Sequence, residues 1–150
     1  MLLREFFAED AISLDLKGET KEEILKELIG LLHLDDKSEA TLLKKLQQRE
    51  ELGSTGIERG FAIPHARSLV VGKLRVAFGR KPAGVDYKSI DGKPAQFFFL
   101  IVAPPLEVSN QYLPVLGKIA TFAKEMDVPK KLLEISSAVE FLKLIEGKGI

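Results

Sequence analysis

The sequence predicts an α/β fold in which helices cover both faces of one sheet, in the order β-α-α-β-β-β-α-α-α. Two observations carry this. Phe97-Phe98-Phe99-Leu100-Ile101-Val102-Ala103 is apolar throughout, the mark of a strand buried on both faces. Two consecutive helical patterns follow the first strand, which excludes simple βαβ alternation. A central strand covered on both sides makes three layers, α/β/α.

Each element has its own signal. Ala11 to Leu16 alternates, with Ile12, Leu14 and Leu16 apolar, and reads as an early strand. Thr20 caps a first helix, with Glu22 and Glu23 near its positive dipole end and Ile24, Leu25, Leu28, Leu31 and Leu32 as the buried stripe. Asp35 or Ser38 opens a second helix that carries Leu42, Leu43 and Leu46 to about Arg49 and ends near Gly53. Phe61-Ala62-Ile63 is a short strand that must fray or lie at an edge, because Pro64 lacks a ladder donor. Lys73 to Arg80 alternates, with Leu74, Val76 and Phe78 on one face. Ala83-Gly84 and Ile90-Asp91-Gly92-Lys93-Pro94 read as turns. Leu113, Leu116, Ile119, Ala120, Ala123 and Met126 form a helical stripe, and Pro114 requires that helix to begin near Asn110 to Tyr112. Val128-Pro129 starts a short helix to about Glu134, and Ser136 or Ser137 caps a last one through Phe141, Leu144 and Ile145. The terminal Gly147-Lys148-Gly149-Ile150 reads as frayed.

Composition narrows the class. With 150 residues and 45% hydrophobic content, a single globular domain over residues 1–150 is expected. Twenty-two basic residues balance 22 acidic ones, which argues against a nucleic-acid partner. Zero cysteines exclude a disulfide framework and thiolate metal sites and suit a cytoplasmic location. The amino terminus is too acidic, and its apolar run too short, for a signal peptide. No stretch approaches the roughly 18 apolar residues of a membrane span. Two histidines at no ligand spacing predict no metal site.

The chemistry concentrates in Gly53-Ser54-Thr55-Gly56-Ile57-Glu58-Arg59-Gly60-Phe61-Ala62-Ile63-Pro64-His65-Ala66-Arg67. One histidine ends a short apolar run just after a glycine-rich loop, and Arg49-Glu50 lies upstream. Histidine acts as nucleophile or proton carrier near neutrality, and amides, hydroxyls and guanidinium groups suit an anionic adduct. These residues point to a histidine that carries a phosphoryl group. Its attacking nitrogen must be unprotonated, with the other N–H held by an acceptor, either a backbone carbonyl or Tyr112. Arg67 lies two residues on, so an extended chain projects it to the same face. His33 sits at a helix carboxyl end, where a dipole contact explains it without a role.

With Arg49-Glu50, Gly53-Ser54-Thr55-Gly56-Ile57, Gly60, Ala62-Ile63-Pro64-His65-Ala66-Arg67, Asp91-Gly92-Lys93-Pro94 and Ala103-Pro104 in this order, the chain resembles the fructose/mannitol-type enzyme IIA domains of the phosphotransferase system, nitrogen-regulatory variants included. The resemblance implies a mixed sheet sandwiched between helices, no cofactor, and a phosphotransferase role. A phosphoryl group would pass from phosphorylated HPr to His65 and on to an enzyme IIB domain. Arg49 and Thr55 would sit beside His65, with Ser54, Gly56, Arg67 and Tyr112 as further phosphoryl-stabilising or docking residues. Many relatives carry a second histidine where this chain has Tyr112. The membrane would be reached only indirectly, through a separate transporter. A second reading keeps the fold and uses phosphorylation of His65 to switch protein docking.

Rival classes fare worse. A hydrolase with Ser54 as nucleophile lacks the G-x-S-x-G elbow, and an NTP-binding reading lacks the G-x-x-x-x-G-K-[ST] loop. Gly53-Ser54-Thr55-Gly56 matches the GXXG of an RNA-binding KH module, but the balanced charge and the Pro64-His65 sequel oppose that.

Overall fold

In the computed structural model, which describes residues 2–150, a 3₁₀ turn at Leu3–Phe6 leads into β1 (Phe7–Ser13), α1 (Lys21–Gly30) and α2 (Asp36–Glu51). β2 (Phe61–Ala62), β3 (His65–Arg67), β4 (Arg75–Val85) and β5 (Ala95–Ala103) follow, then α3 (Tyr112–Ala123), α4 (Val128–Glu134) and α5 (Ala138–Gly147). The five strands form one mixed sheet in the spatial order β1-β4-β5-β2, with β3 also paired to β5. β1 runs parallel to β4, β4 antiparallel to β5, and β2 and β3 parallel to β5.

β5 explains the layering. Every residue from Phe97 to Ala103 is 0% exposed, so neither face of this strand meets water. Phe97, Phe99 and Ile101 pack with Val115, Ile119, Phe122, Leu132 and Phe141 of α3, α4 and α5. Phe98, Leu100 and Val102 face Ile24, Leu25, Leu28, Leu42 and Leu46 of α1 and α2. Alternation along the strand thus feeds two cores, and an unbroken apolar run is what that requires. Aromatic rings make up much of the first core. Phe78 stacks on Phe141 at 4.2 Å between centroids, and Phe99 meets Phe122 edge-on at 6.1 Å.

The helix caps stand where side-chain chemistry places them. Thr20 accepts from the Glu23 amide at 3.2 Å, Asp35 from Ser38 at 2.7 Å and Ser137 from Glu140 at 3.1 Å. Five expectations need correction. β1 starts at Phe7 and ends at Ser13, rather than spanning Ala11 to Leu16. Its acidic Glu9 and Asp10 are exposed, and its register against β4 slips between Phe7 and Ile12, which breaks the period-2 signal. Ala83-Gly84 is a bulge within β4 and not a turn; Gly84 takes φ +78 where the register shifts. The buried face of α3 is Tyr112, Val115, Ile119, Phe122 and Ala123, whereas Leu113 and Met126 are exposed. This helix is apolar nearly all round, so packing against Phe99 selects the face. The carboxyl terminus is tied down, with Lys148 Nζ 2.8 Å from Asp127 and 2.9 Å from Glu125 and Ile150 packed against the core. The expected second strand at Phe61-Ala62-Ile63 is β2, ending at Ala62, and a further strand that the sequence reading lacks, β3, follows Pro64.

Arg80 links the layers at one end of the sheet. Its Nε donates to Leu14 O at 3.0 Å, and Nη1 donates to Leu132 O at 2.8 Å and Ile135 O at 2.7 Å. Arg80→Met strips the partner from three carbonyls and is expected to lower stability by about 1–3 kcal/mol. Urea unfolding of the two proteins measures the difference, and equal midpoints would show that water replaces the guanidinium without loss.

Candidate functional site

The site forms where the edge strand breaks. Phe61 lies opposite Phe97 and His65 opposite Ile101, so the register against β5 is unchanged across Pro64. The Pro64 carbonyl still accepts from the Ile101 amide at 3.0 Å. The Ile63 carbonyl instead lies 2.7 Å from His65 Nδ1. A carbonyl only accepts, so Nδ1 carries the proton and the Nε2 lone pair is free. Of the two acceptors left open by the sequence, the backbone carbonyl is the one used. His65 and Arg67 alternate with buried Ala66 and so emerge together, half-buried, at the sheet edge. Burial holds the His65 imidazole below its ordinary pKa; the Ile63 bond opposes this, the Arg49 cation adds to it and Glu50 opposes it.

Arg49 and Glu50 end α2 and grip the glycine loop from two sides. Arg49 Nη1 donates to the Gly53 carbonyl at 2.9 Å. Glu50, whose side chain is 7% exposed, points inward and accepts from the Thr55 amide at 3.0 Å and from the Thr55 hydroxyl. Lys21 Nζ stands 2.8 Å from the same carboxylate. Thr55 is therefore buried under the site, with its hydroxyl committed to Glu50 and 3.2 Å from the Tyr87 phenol oxygen. Ser54 donates to the Tyr87 carbonyl at 3.0 Å and accepts from the Gly56 amide at 3.0 Å. A Cβ on Gly56 would come within 2.3 Å of Ser89 Oγ, so that position needs glycine for close approach of the β4–β5 connection. The loop hydroxyls expected near the phosphoryl group are thus engaged in holding the loop. Glu50, quoted in the motif but given no role, is the residue that organises it.

A shallow depression of about 420 Å³ surrounds the His65 ring, lined by Lys45, Gln48, Arg49, Leu52, Arg67 and Tyr112. Tyr112 begins α3 with its ring centroid 6.2 Å from that of His65, and Arg67 lies 4.4 Å over the tyrosine ring. Arg67 also donates to the Pro104 carbonyl at 3.3 Å. Burial pushes the Tyr112 phenol up, against the pull of Arg67 and Arg49. The amino end of α3 does not serve as an open anion site. Glu107 fills it, accepting from the Gln111 amide at 2.9 Å and the Tyr112 amide at 3.1 Å. Partial burial works upward on Glu107, but hydrogen bonds from Ser109 and these amides hold its carboxyl below the usual carboxylate range. Sequence reasoning missed this cap because it comes from four and five residues upstream. His33 lies elsewhere, its Nε2 3.0 Å from Asp10.

A larger cleft of about 1040 Å³ lies between the amino-terminal segment and residues 70–76. Its lining holds Glu5, Lys73 and Arg75 but no histidine, so the smaller depression around His65 is the candidate site. Among the described residues no helix is long and apolar enough to cross a membrane, and no group of three His, Cys, Asp or Glu is gathered for a metal ion.

A freed imidazole nitrogen in a depression that Arg49 and Arg67 also line, on this mixed sheet, suits an anionic adduct. Residues 5–148 match the family described as "Phosphoenolpyruvate-dependent sugar phosphotransferase system, EIIA 2". The chain is 33% identical over 149 residues to the fructose-specific EIIABC component of Bacillus subtilis, covering 97% of this chain but 23% of that protein. It thus spans about a quarter of that relative's length. It is 35% identical over 132 residues to the fructose-specific EIIA component of Haloferax volcanii, covering 85% of this chain and 84% of that one. The crystal structure of nitrogen regulatory protein IIA-Ntr from Neisseria meningitidis superposes with a TM-score of 0.85 at 31% identity, covering 94% of this chain and 97% of that one. The chain belongs to the EIIA 2 family of the phosphotransferase system. It is a phosphotransferase component that carries a phosphoryl group.

The depressed His65 pKa sets a testable pH dependence. The ring should titrate with a midpoint below about 6.5 when followed by NMR. Because folding disfavours the protonated ring, its contribution to stability is complete above pH of about 6.5 and is lost as pH falls through the folded midpoint. A midpoint above 6.5 would mean that the Ile63 bond outweighs burial.

Proposed function

We propose that His65 Nε2 accepts a phosphoryl group from a phosphorylated HPr-like carrier and passes it to an enzyme IIB domain for sugar uptake in the cytoplasm. In this reading residues 1–150 act as one IIA domain, and the membrane is reached through a separate transporter. The Nδ1–H bond to Ile63 O carries the reading, because it leaves Nε2 unprotonated in a depression rimmed by cations.

The Nε2 lone pair forms the new N–P bond as the donor carrier's N–P bond breaks, and the electron pair of that bond returns to the donor's imidazole. His65 keeps its Nδ1 proton, and the charge that develops on the ring strengthens the bond to Ile63. Phosphorylation adds roughly two negative charges. Arg49 and Arg67, both lining the depression, are the groups that meet them. Thr55 supports transfer by holding the loop, with Ser54 and Gly56 shaping that loop against residues 87–89. Tyr112 packs against the ring.

Exposed Leu52, Leu106, Val108 and Leu113 lie on or beside this rim and offer apolar contact to a protein partner. The likeness to the Neisseria nitrogen-regulatory protein favours a second reading, in which phosphorylation of His65 switches protein binding. The two part on one observation. A transport component discharges to a IIB domain, and a regulator binds its partner according to phosphorylation state without passing the group on.

Incubation with phosphoenolpyruvate, enzyme I and HPr is expected to add one phosphoryl mass to the wild type and none to His65→Ala. Arg49→Ala should slow transfer by about 100-fold with an unchanged unfolding midpoint. A normal rate in that variant would remove the guanidinium from the mechanism, and phosphorylation of His65→Ala would move the acceptor elsewhere.

A further inference from the structure

We propose that Glu50 is a positioning residue for transfer at His65, acting through Thr55 and Ile63 to aim the imidazole. This inference rests on His65 being the acceptor. The linkage is continuous. Glu50 takes both the amide and the hydroxyl of Thr55. The Thr55 carbonyl accepts from the Ile63 amide at 3.0 Å, and the Ile63 carbonyl accepts from His65 Nδ1 at 2.7 Å. The loop also folds back on the strand through the Gly56–Ala62 bridge, so a shift at Thr55 reaches Ile63 by two routes.

The network that holds Glu50 is buried and directional. Thr55 gives its hydroxyl proton to the carboxylate, so the Tyr87 phenol is the donor toward Thr55 Oγ1. Lys21 closes the other side, with Nζ 2.8 Å from Glu50 Oε1, 3.1 Å from the Tyr87 carbonyl and 4.3 Å from the Tyr87 ring centroid. Four chain segments meet here: the start of α1, the end of α2, the glycine loop and the β4–β5 connection. Only a carboxylate serves all three donors, because a carboxamide turns an NH₂ toward one of them. Glu50 is too buried to touch a docked carrier or an arriving phosphoryl group, so its effect on the reaction must pass through the ring it aims.

The test is Glu50→Gln, read in two ways. Phosphorylation is followed at increasing concentrations of phosphorylated HPr, and the imidazole nitrogens are followed by ¹⁵N NMR with His33 as internal reference. The expected result is a maximal rate lower by roughly 10- to 100-fold at an unchanged half-saturating concentration. The wild-type His65 should show a single tautomer with the proton on Nδ1, and the variant a mixture, with His33 signals unmoved. Should Glu50→Gln fail to fold, Thr55→Val removes one donor and keeps the amide; it should show the same effects more weakly, with Thr55→Ser restoring both. Wild-type rate and tautomer in a folded variant overturn the proposal, as does a slower rate with unchanged His65 nitrogens. If the wild type takes no phosphoryl group, the transfer reading falls, while the nitrogen signals still decide whether Glu50 aims the ring.

Discussion

The contact between the Ile63 carbonyl and His65 Nδ1 is the constraint on which the chemistry of this protein depends. It exists because the edge strand is interrupted without being displaced. Pro64 has no amide proton to offer a neighbour and favours an extended backbone at the residue before it. An interruption of this kind is tolerated only at a sheet edge, and β2 and β3 have β5 as their one strand partner among the described residues. Because β5 is buried on both faces, the edge strand cannot slide to repair the break. The register stays fixed, the ladder lacks only the donor that Pro64 cannot supply, and the Ile63 carbonyl, which points away from β5, accepts from a side-chain nitrogen instead. A neutral imidazole held by Nδ1 must present Nε2 outward, so the tautomer follows from backbone geometry alone.

Two consecutive residues at the end of α2 then divide the electrostatic work. A helix turns about 100° per residue, so Arg49 and Glu50 cannot face the same way. Arg49 reaches over the glycine loop to the surface, and Glu50 reaches under it into the core. The cation is placed on the rim of the depression around His65; the anion is placed where it satisfies donors that burial would otherwise strand, at about 1–3 kcal/mol each. Their opposite effects on the His65 pKa partly cancel, which leaves burial as the main influence on the ring. The site thus keeps the His65 imidazole neutral near pH 7 without needing a charged partner on the ring.

Much of this arrangement could be read from residue order. The apolar run at 97–103, the caps Thr20 and Asp35, the turn at Asp91-Gly92 and the proline before His65 each carry a local signal that tertiary structure leaves intact. What could not be read depends on contacts made across the fold. β1 was misplaced because Glu9 and Asp10 project outward from a bulged edge strand, where hydrophobic period says little. The face of α3 was misread because Leu113 and Leu116 are as apolar as Val115 and Phe122, and only Phe99 distinguishes them. In sequence the Thr55 hydroxyl reads as a hydrogen-bond donor to a phosphoryl group, because it is indistinguishable there from one that faces solvent. Its actual partner, Glu50, is five residues away along the chain, yet Lys21 and Tyr87 complete the cluster from distant segments.

Tyr112 changes how charge must be handled at this site. A second histidine there would offer a titratable donor beside the first. Tyrosine offers a buried phenol whose pKa is raised further, so it is neutral near pH 7. The helix that Tyr112 opens is also withdrawn from service, because Glu107 already occupies its amide end. With neither an imidazolium nor a free helix terminus at hand, the positive charge near His65 comes from side chains on α2 and β3. The tyrosine ring contributes by seating Arg67 on its face, which fixes a long, flexible cation at low entropic cost in the depression that His65 also lines.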